Sequence, residues 1–232
     1  MKFSIIFDNQ KYNANLDNLW GFSCLIEIDN QKILFDTGSN GRILLKNASK
    51  MEINLKEIDT VFISHSHWDH IGGLDTIIEE NPNITLIIPN TLSKHLIKDL
   101  KNLVKHVIVI DSFTKISSNL YSTGIMGDDM KEHSLIIEKN NRLYIVSGCS
   151  HSGINNIEKR SIDILNKRVE YIIGGFHMMY KSPVEIQKII KNLHTKYLTA
   201  THCTGDIGVG MLKLRYKNRF INGGAGAIIK ID

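Results

Sequence analysis

Ser64-His65-Ser66-His67-Trp68-Asp69-His70 is the stretch around which this chain is organised. The apolar run before it, Thr60-Val61-Phe62-Ile63, reads as a buried strand. Ile71-Gly72-Gly73-Leu74 after it reads as a turn into a helix. Three imidazoles and one carboxylate therefore sit within six residues at a strand's end. Neutral imidazole and carboxylate are the usual nitrogen and oxygen ligands of zinc and related divalent ions. In extended backbone His65 and His67 point the same way, as residues two apart do. Asp69 and His70 fall past the bend, where they can face a second ion. So many polar groups straight after a buried strand are costly to keep without a ligand.

His65-x-His67-x-Asp69-His70 resembles the signature of the metallo-β-lactamase superfamily. The rest of the chain is consistent with that. Its 232 residues suit one domain, and 42% hydrophobic residues suffice for a sizeable core. The net charge of +4 is mild and the lysines are scattered along the sequence, which speaks against a nucleic-acid partner. No apolar run approaches membrane-spanning length, and Met1–Asp8 turns polar too early for a signal peptide. Cys24, Cys149 and Cys203 are an odd number of widely spaced cysteines, which points to a reducing, cytoplasmic setting.

Read in order, residues 2–7 form a strand, and Ser23–Ile28 with Lys32–Phe35 form a hairpin turned at Asp29-Asn30-Gln31. Asn40–Met51 has helical spacing. After the strand Thr60–Ile63 come a helix over Leu74–Glu80, a strand over Ile84–Ile88, a helix over Leu92–Leu100 and a strand over Val107–Ile110. Short antiparallel strands follow near Leu120–Thr123, Ser134–Glu138 and Leu143–Val146. Then come a helix over Ile154–Asn166, a strand over Val169–Ile173, and a helix over Pro183–Leu193 with proline in its first turn. A strand over Tyr197–Ala200, a helix over Ile207–Tyr216 and a strand over Gly223–Ile231 close the chain. Hairpins mixed with strand–helix units predict an α+β architecture. It is an αββα sandwich of two mixed sheets with helices on the outer faces, one domain spanning residues 1–232.

Five strand exits carry the unusual chemistry: Asp36-Thr37-Gly38-Ser39, the opening stretch, Gly148–Gly153, Gly174–His177 and Thr201–Gly205. Strand ends that feed helices form the ligand crevice of such folds, so residues distant in sequence can converge there. Further metal ligands are sought among His151, His177 and His202. His95 and His106, in a lysine-rich segment, and His194, at a helix end, read as solvated or capping residues. His133 stays open.

The whole chain resembles one branch of the superfamily, named for dihydropterin–ribofuranosylaminobenzene 5'-phosphate synthase. The branch pattern is Asp-Thr-Gly, the His motif, Gly-Cys-Ser-His, Gly-Gly-Phe-His and a late His-Cys-Thr-Gly. All five occur, at 36–38, 65–70, 148–151, 174–177 and 202–205. The resemblance implies one divalent ion on His65, His67 and His151, and a second on Asp69, His70 and His202. Zinc is the first expectation, with manganese or iron also compatible. Many members place an ion-bridging Asp where this chain has Cys149. A thiolate binds zinc, so Cys149 is a candidate ligand, and a small buried apolar role is the competing reading. Asp36 is expected to accept the free N–H of a ligating imidazole. Catalytic roles fall to Asp69 and His177, and substrate contacts to His177, Ser152 and Trp68. Trp20 and Trp68 could wall in a flat heterocycle. Lys181 and Arg160 are phosphate contacts or plain surface charge.

The resemblance thus implies a metal-dependent hydrolase that activates water against a small, anionic, phosphate-bearing, pterin-like substrate. A phosphoribosyl-transferring synthase-type enzyme and a di-iron oxidoreductase of the same fold are the alternatives. Di-iron members usually place Glu where this chain has His67 and carry a flavin domain.

Overall fold

The computed structural model describes residues 1–231. The chain divides into two compact units, Met1–Ile110 with the segment from Gly223 on, and Asp111–Asn222.

Unit 1 holds a seven-stranded mixed sheet. Its strands are β1 (Lys2–Asp8), β2 (Phe22–Ile28), β3 (Gln31–Phe35), β4 (Thr60–Phe62), β5 (Thr85–Pro89), β6 (His106–Ile110) and β13 (Ile228–Lys230). They run in the order β13-β1-β2-β3-β4-β5-β6. β13 to β3 pair antiparallel and β3 to β6 parallel. The β2–β3 hairpin closes on two residues. Asp29 and Asn30 have φ of 46° and 65°, the left-handed pair that matches strand twist. Gln31, read as a turn residue, is the first residue of β3.

Helices α1 (Gly41–Lys50), α2 (Trp68–Ile71), α3 (Leu74–Glu80) and α4 (Lys94–Leu103) belong to this unit. Asn40 caps α1 by accepting from the Ile43 N–H, and Ser93 caps α4 by accepting from Leu96. Ser93 sets the start of α4 two residues later than the apolar spacing predicts. Leu34, Leu44, Val61, Ile77, Leu86 and Ile88 lie in one fully buried cluster.

Unit 2 holds a six-stranded mixed sheet in the order β12-β11-β10-β9-β8-β7. Its strands are β7 (Thr114–Lys115), β8 (Leu120–Ser122), β9 (Leu135–Lys139), β10 (Arg142–Ser147), β11 (Val169–Gly175) and β12 (Tyr197–Thr201). The first four pair antiparallel, and β10, β11 and β12 pair parallel. The parallel pairs are joined through α5 (Ile154–Leu165) and α6 (Pro183–Lys191), and α7 (Gly205–Tyr216) follows β12. Ser182 and Glu185 form a capping box with Pro183 in the first turn of α6, the helix start read from sequence. Ile136, Ile145, Ile172, Phe176, Leu198 and Leu212 lie in this unit's core.

The final strand is shorter than the glycine-rich segment suggested. Gly224 and Gly226 have φ of 129° and 94°, so the chain turns there and the regular strand is confined to Ile228–Lys230. No helix among the described residues is long and apolar enough to cross a membrane.

Candidate metal centre

In unit 1 the parallel exits of β3 and β4 lie side by side, with Phe35 beside Phe62 in register. Asp36 follows β3 and Ser64-His65 follow β4. Asp36 takes the left-handed φ of 53° and is fully buried, as are Ser64, His65 and His70. Its Oδ1 accepts the Ser64 backbone N–H at 2.7 Å. Its Oδ2 accepts the Ser64 hydroxyl at 2.7 Å and His70 Nδ1 at 2.6 Å. Ser64 Oγ is also 2.8 Å from His65 Nδ1.

An ionised carboxylate only accepts, so these contacts assign the ring protons. Ser64 gives its hydrogen to Asp36 and accepts from His65 Nδ1–H, and His70 Nδ1–H donates to Asp36 directly. In each neutral ring Nε2 is then the acceptor. His65 Nε2 lies 3.1 Å from His67 Nδ1. His70 Nε2 lies 3.6 Å from Asp69 Oδ2, which sets two acceptors against each other. A cation between them turns that repulsion into attraction. The nitrogen and oxygen donor set therefore fits a divalent metal.

The loop after Asp36 clamps the motif. Thr37 donates to the His70 carbonyl from its N–H at 2.7 Å and its hydroxyl at 2.9 Å. Gly72 and Gly73 let this happen. A Cβ on Gly72 would stand 2.6 Å from the Ser39 carbonyl oxygen, and one on Gly73 would stand 2.5 Å from that of Thr37. The helix begins inside the motif, at Trp68, so Asp69 and His70 leave the strand direction by entering α2. Trp68 is 62% exposed and does not pack on the core.

In unit 2 the parallel exits of β10, β11 and β12 bring Cys149, His151, Ser152, His177, His202 and Cys203 to one edge of the sheet. Serines tie the exits together. Ser134 Oγ donates to Ser147 Oγ at 3.2 Å, Ser147 Oγ is 2.9 Å from Ser150 Oγ, and Ser150 Oγ donates to the Gly175 carbonyl at 2.6 Å. Ser150, His177 and His202 all take left-handed φ, between 48° and 59°. Such residues cluster at functional turns, where surrounding structure holds them. The His151 and His177 rings lie 4.4 Å apart.

His177, His151 and Ser152 line a cavity of about 670 Å³ with the loop Met126–Met130, within the range of small-molecule sites. His177 Nδ1 and Ser152 Oγ are buried there without a hydrogen-bond partner. Burial pushes the Cys203 thiol up, but Cys149, His177 and the His202 charge outweigh it and hold the thiol well below its ordinary value.

The remaining histidines lie elsewhere. His95, His106 and His194 are exposed. His133 is buried against β8, with Nδ1 2.8 Å from Ser122 Oγ. Arg160 donates to the Thr123 carbonyl at 2.6 Å. Sequence reasoning missed three features: the Ser64 relay between Asp36 and His65, the Met126–Met130 wall with its Asp128 and Asp129, and a basic cleft. That cleft, of about 590 Å³, is lined in part by Arg142, Arg168, Lys196 and Arg219. Arg142, Arg168 and Lys196 come from the starts of β10, β11 and β12 and Arg219 from the turn after α7, and Glu170 in the same lining pairs with Lys196 at 2.7 Å.

The fold and these donors define a class, and the chain belongs to the metallo-β-lactamase superfamily, whose profile matches residues 21–154. One relative is the 7,8-dihydropterin-6-methyl-4-(beta-D-ribofuranosyl)-aminobenzene-5'-phosphate synthase of Methanocaldococcus jannaschii. It is 30% identical over 281 residues, covering 98% of this chain and 95% of that one. A ribonuclease Z of Clostridium novyi is 28% identical over 198 residues, 85% of this chain and 56% of that one. Among solved structures, Tm1679, described as a metal-dependent hydrolase of the β-lactamase superfamily, superposes with a TM-score of 0.80. It is 25% identical and covers 100% of this chain and 99% of its own. Similarity to a ribonuclease leaves the expected absence of a nucleic-acid partner without support.

Proposed function

We propose that the chain is a metal-dependent hydrolase with a dinuclear centre, acting on a small, anionic, phosphate-bearing molecule. The observation that carries this is the Asp36 carboxylate, which accepts hydrogen bonds from His70 Nδ1 and from the Ser64 hydroxyl, whose oxygen in turn faces His65 Nδ1. It fixes both rings with Nε2 as the lone-pair donor. By family resemblance His65, His67 and His151 hold one ion and Asp69, His70 and His202 the other, with residues 1–232 acting as one functional domain. Zinc, manganese and iron all suit these ligands.

Such ions, when bound, acidify water to near neutrality and stabilise a developing oxyanion. The chain's own residues do the rest. Asp69 orients the attacking oxygen as well as ligating. His177 faces the 670 Å³ cavity, contacts the anionic group and delivers a proton to the leaving oxygen. Ser152 contributes a hydroxyl to the same wall. The exposed Trp68 ring supports a stacking role toward a flat ring such as a pterin. The three cysteines are free of disulfides, which supports a cytoplasmic setting.

A second reading, a synthase-type group transfer, is favoured by similarity to the Methanocaldococcus protein over nearly its whole length. The test is turnover of phosphomonoester, phosphodiester and short RNA substrates by anaerobically purified protein, with and without chelator. The proposal expects chelator-sensitive release from a small ester, at least 100-fold lower in Asp69→Asn and His177→Ala. Cleavage confined to RNA, or turnover indifferent to chelator, overturns it. Phosphoribosyl transfer without hydrolysis selects the second reading.

A further inference from the structure

The edge of unit 2 opposite the candidate ligands carries the basic cleft of about 590 Å³. Parallel strands start on one edge of a sheet and exit on the other, so β10, β11 and β12 hold the two places apart by their own length. Arg142 opens β10 and Ser147 ends it, and this six-residue strand spans about 17 Å. The cleft shares no lining residue with the cavity of Met126–Met130, His151 and His177.

Strand order brings its cations together. The Leu143 N–H donates to the Arg168 carbonyl at 2.9 Å, and Leu143 faces Val169 in register, so Arg142 and Arg168 meet on adjacent strands. Like charges so placed repel and cost stability unless something neutralises them. Glu170 does this for Lys196, at 2.7 Å, and reaches Arg142 only at 3.9 Å. Among the described residues, Arg168 and Arg219 pair with no carboxylate. Arg219 instead holds its guanidinium 5.2 Å from the centre of the Tyr216 ring. The other carboxylate of the lining, Glu158, is 1% exposed, and its oxygens accept the His194 N–H. Four Arg and Lys side chains against two carboxylates leave a surplus of two positive charges around one cleft.

We propose that this cleft binds a small phosphorylated molecule, with Arg168 and Arg219 holding its phosphate dianion and Arg142 and Lys196 supporting them from the strand starts. A guanidinium presents a planar fork of N–H donors that matches phosphate oxygens two at a time. Neither Arg168 nor Arg219 spends its fork on another described residue. A dianion also matches the surplus charge, as a neutral or cationic ligand does not. The volume lies in the range of small-molecule sites, and Ile162 and Val169 give the rest of the ligand an apolar surface. The site needs no metal and stands apart from the dinuclear reading. Phosphate held there would tie the starts of β10 and β11 to the turn after α7, so binding would stabilise unit 2.

The test is calorimetric titration of the full chain with inorganic phosphate at low salt, on wild type, His65→Ala and Arg168→Ala/Arg219→Ala, with circular dichroism as the check on folding. Wild type and His65→Ala should share one binding event. The arginine variant should weaken that event at least about tenfold, and added salt should weaken it as well. The absence of a shared event, or one unchanged in the arginine variant, overturns the cleft. An event lost in His65→Ala belongs to the metal centre, so it overturns the cleft while leaving the dinuclear reading standing. Binding of a short oligouridylate without any binding of phosphate overturns the small-molecule site in favour of an RNA surface. Should the arginine variant fail to fold, phenylglyoxal modification of wild type decides. Phosphate should shield Arg168 and Arg219 from the reagent, and modification indifferent to phosphate overturns the site.

Discussion

Asp36 serves three donors with one side chain: the Ser64 N–H, the Ser64 hydroxyl and His70 Nδ1. Because it is fully buried, its loss strands those groups away from water. Asp36→Ala should destabilise the protein by about 1–3 kcal/mol per unsatisfied group, read from denaturant unfolding. Asp36→Asn keeps the shape but offers an N–H where an acceptor is needed. Metal affinity should fall about 10–100-fold, measured by competition with a chelator of known affinity. An unchanged affinity would show that the ring protons are set some other way. Gly175 is the second residue of this kind. Gly175→Ala should cost about 1–3 kcal/mol, since its Cβ would meet Sγ of Cys203 and the Gly148 carbonyl. A melting temperature within a degree of wild type would contradict the packing described.

At the scale of elements, α5 carries Glu158 into the interior, where both carboxyl oxygens accept the His194 N–H, at 3.3 and 3.0 Å. Burial raises this carboxyl above its ordinary 4.5, and the backbone bonds offset only part of that. A raised carboxyl binds its proton more tightly folded than unfolded, so it lowers stability as pH climbs from 4.5 through the folded value. Glu158→Gln removes that slope while keeping an acceptor for His194. The difference in melting temperature, variant minus wild type, should therefore grow more positive with pH above 4.5. A difference that stays flat from pH 4 to 7, values fixed by the ordinary carboxylate range, would sink the idea.

The same scale shows how far sequence reading reaches. Asp29-Asn30 announced a hairpin and Ser182-Pro183 a helix start, because turn and cap chemistry is local. The fold class and the strand exits that carry the candidate residues were legible for the same reason: each motif interrupts an apolar run. The four-residue α2 has too few positions to show a helical period, and the two-residue β7 too few to alternate. The Asp36–Ser64–His65 relay depends on β3 lying beside β4, and the cleft of Arg142, Arg168 and Lys196 on the parallel order of β10, β11 and β12. Such pairings are set by register, which no single stretch encodes.

For the whole molecule, charge is uneven along the chain. Residues 111–222 carry 16 Lys and Arg against 10 Asp and Glu, and the remainder 12 against 14. If the substrate is anionic, as proposed, positive charge on the cavity-bearing unit would attract it, and the apparent affinity should fall as salt rises. Bound metal should also stabilise the folded chain, by about 4 kcal/mol at a thousandfold excess over its dissociation constant. Chelation should therefore lower the melting temperature reversibly.

The metal content of anaerobically purified wild type beside His65→Ala, by elemental analysis with circular dichroism as the check on folding, is the most direct test. Stable binding of at least two divalent ions by wild type, with one lost in a folded His65→Ala protein, is the result expected. A folded wild type that takes up no divalent ion, or a His65→Ala protein with wild-type content, would contradict a metal centre built on this motif.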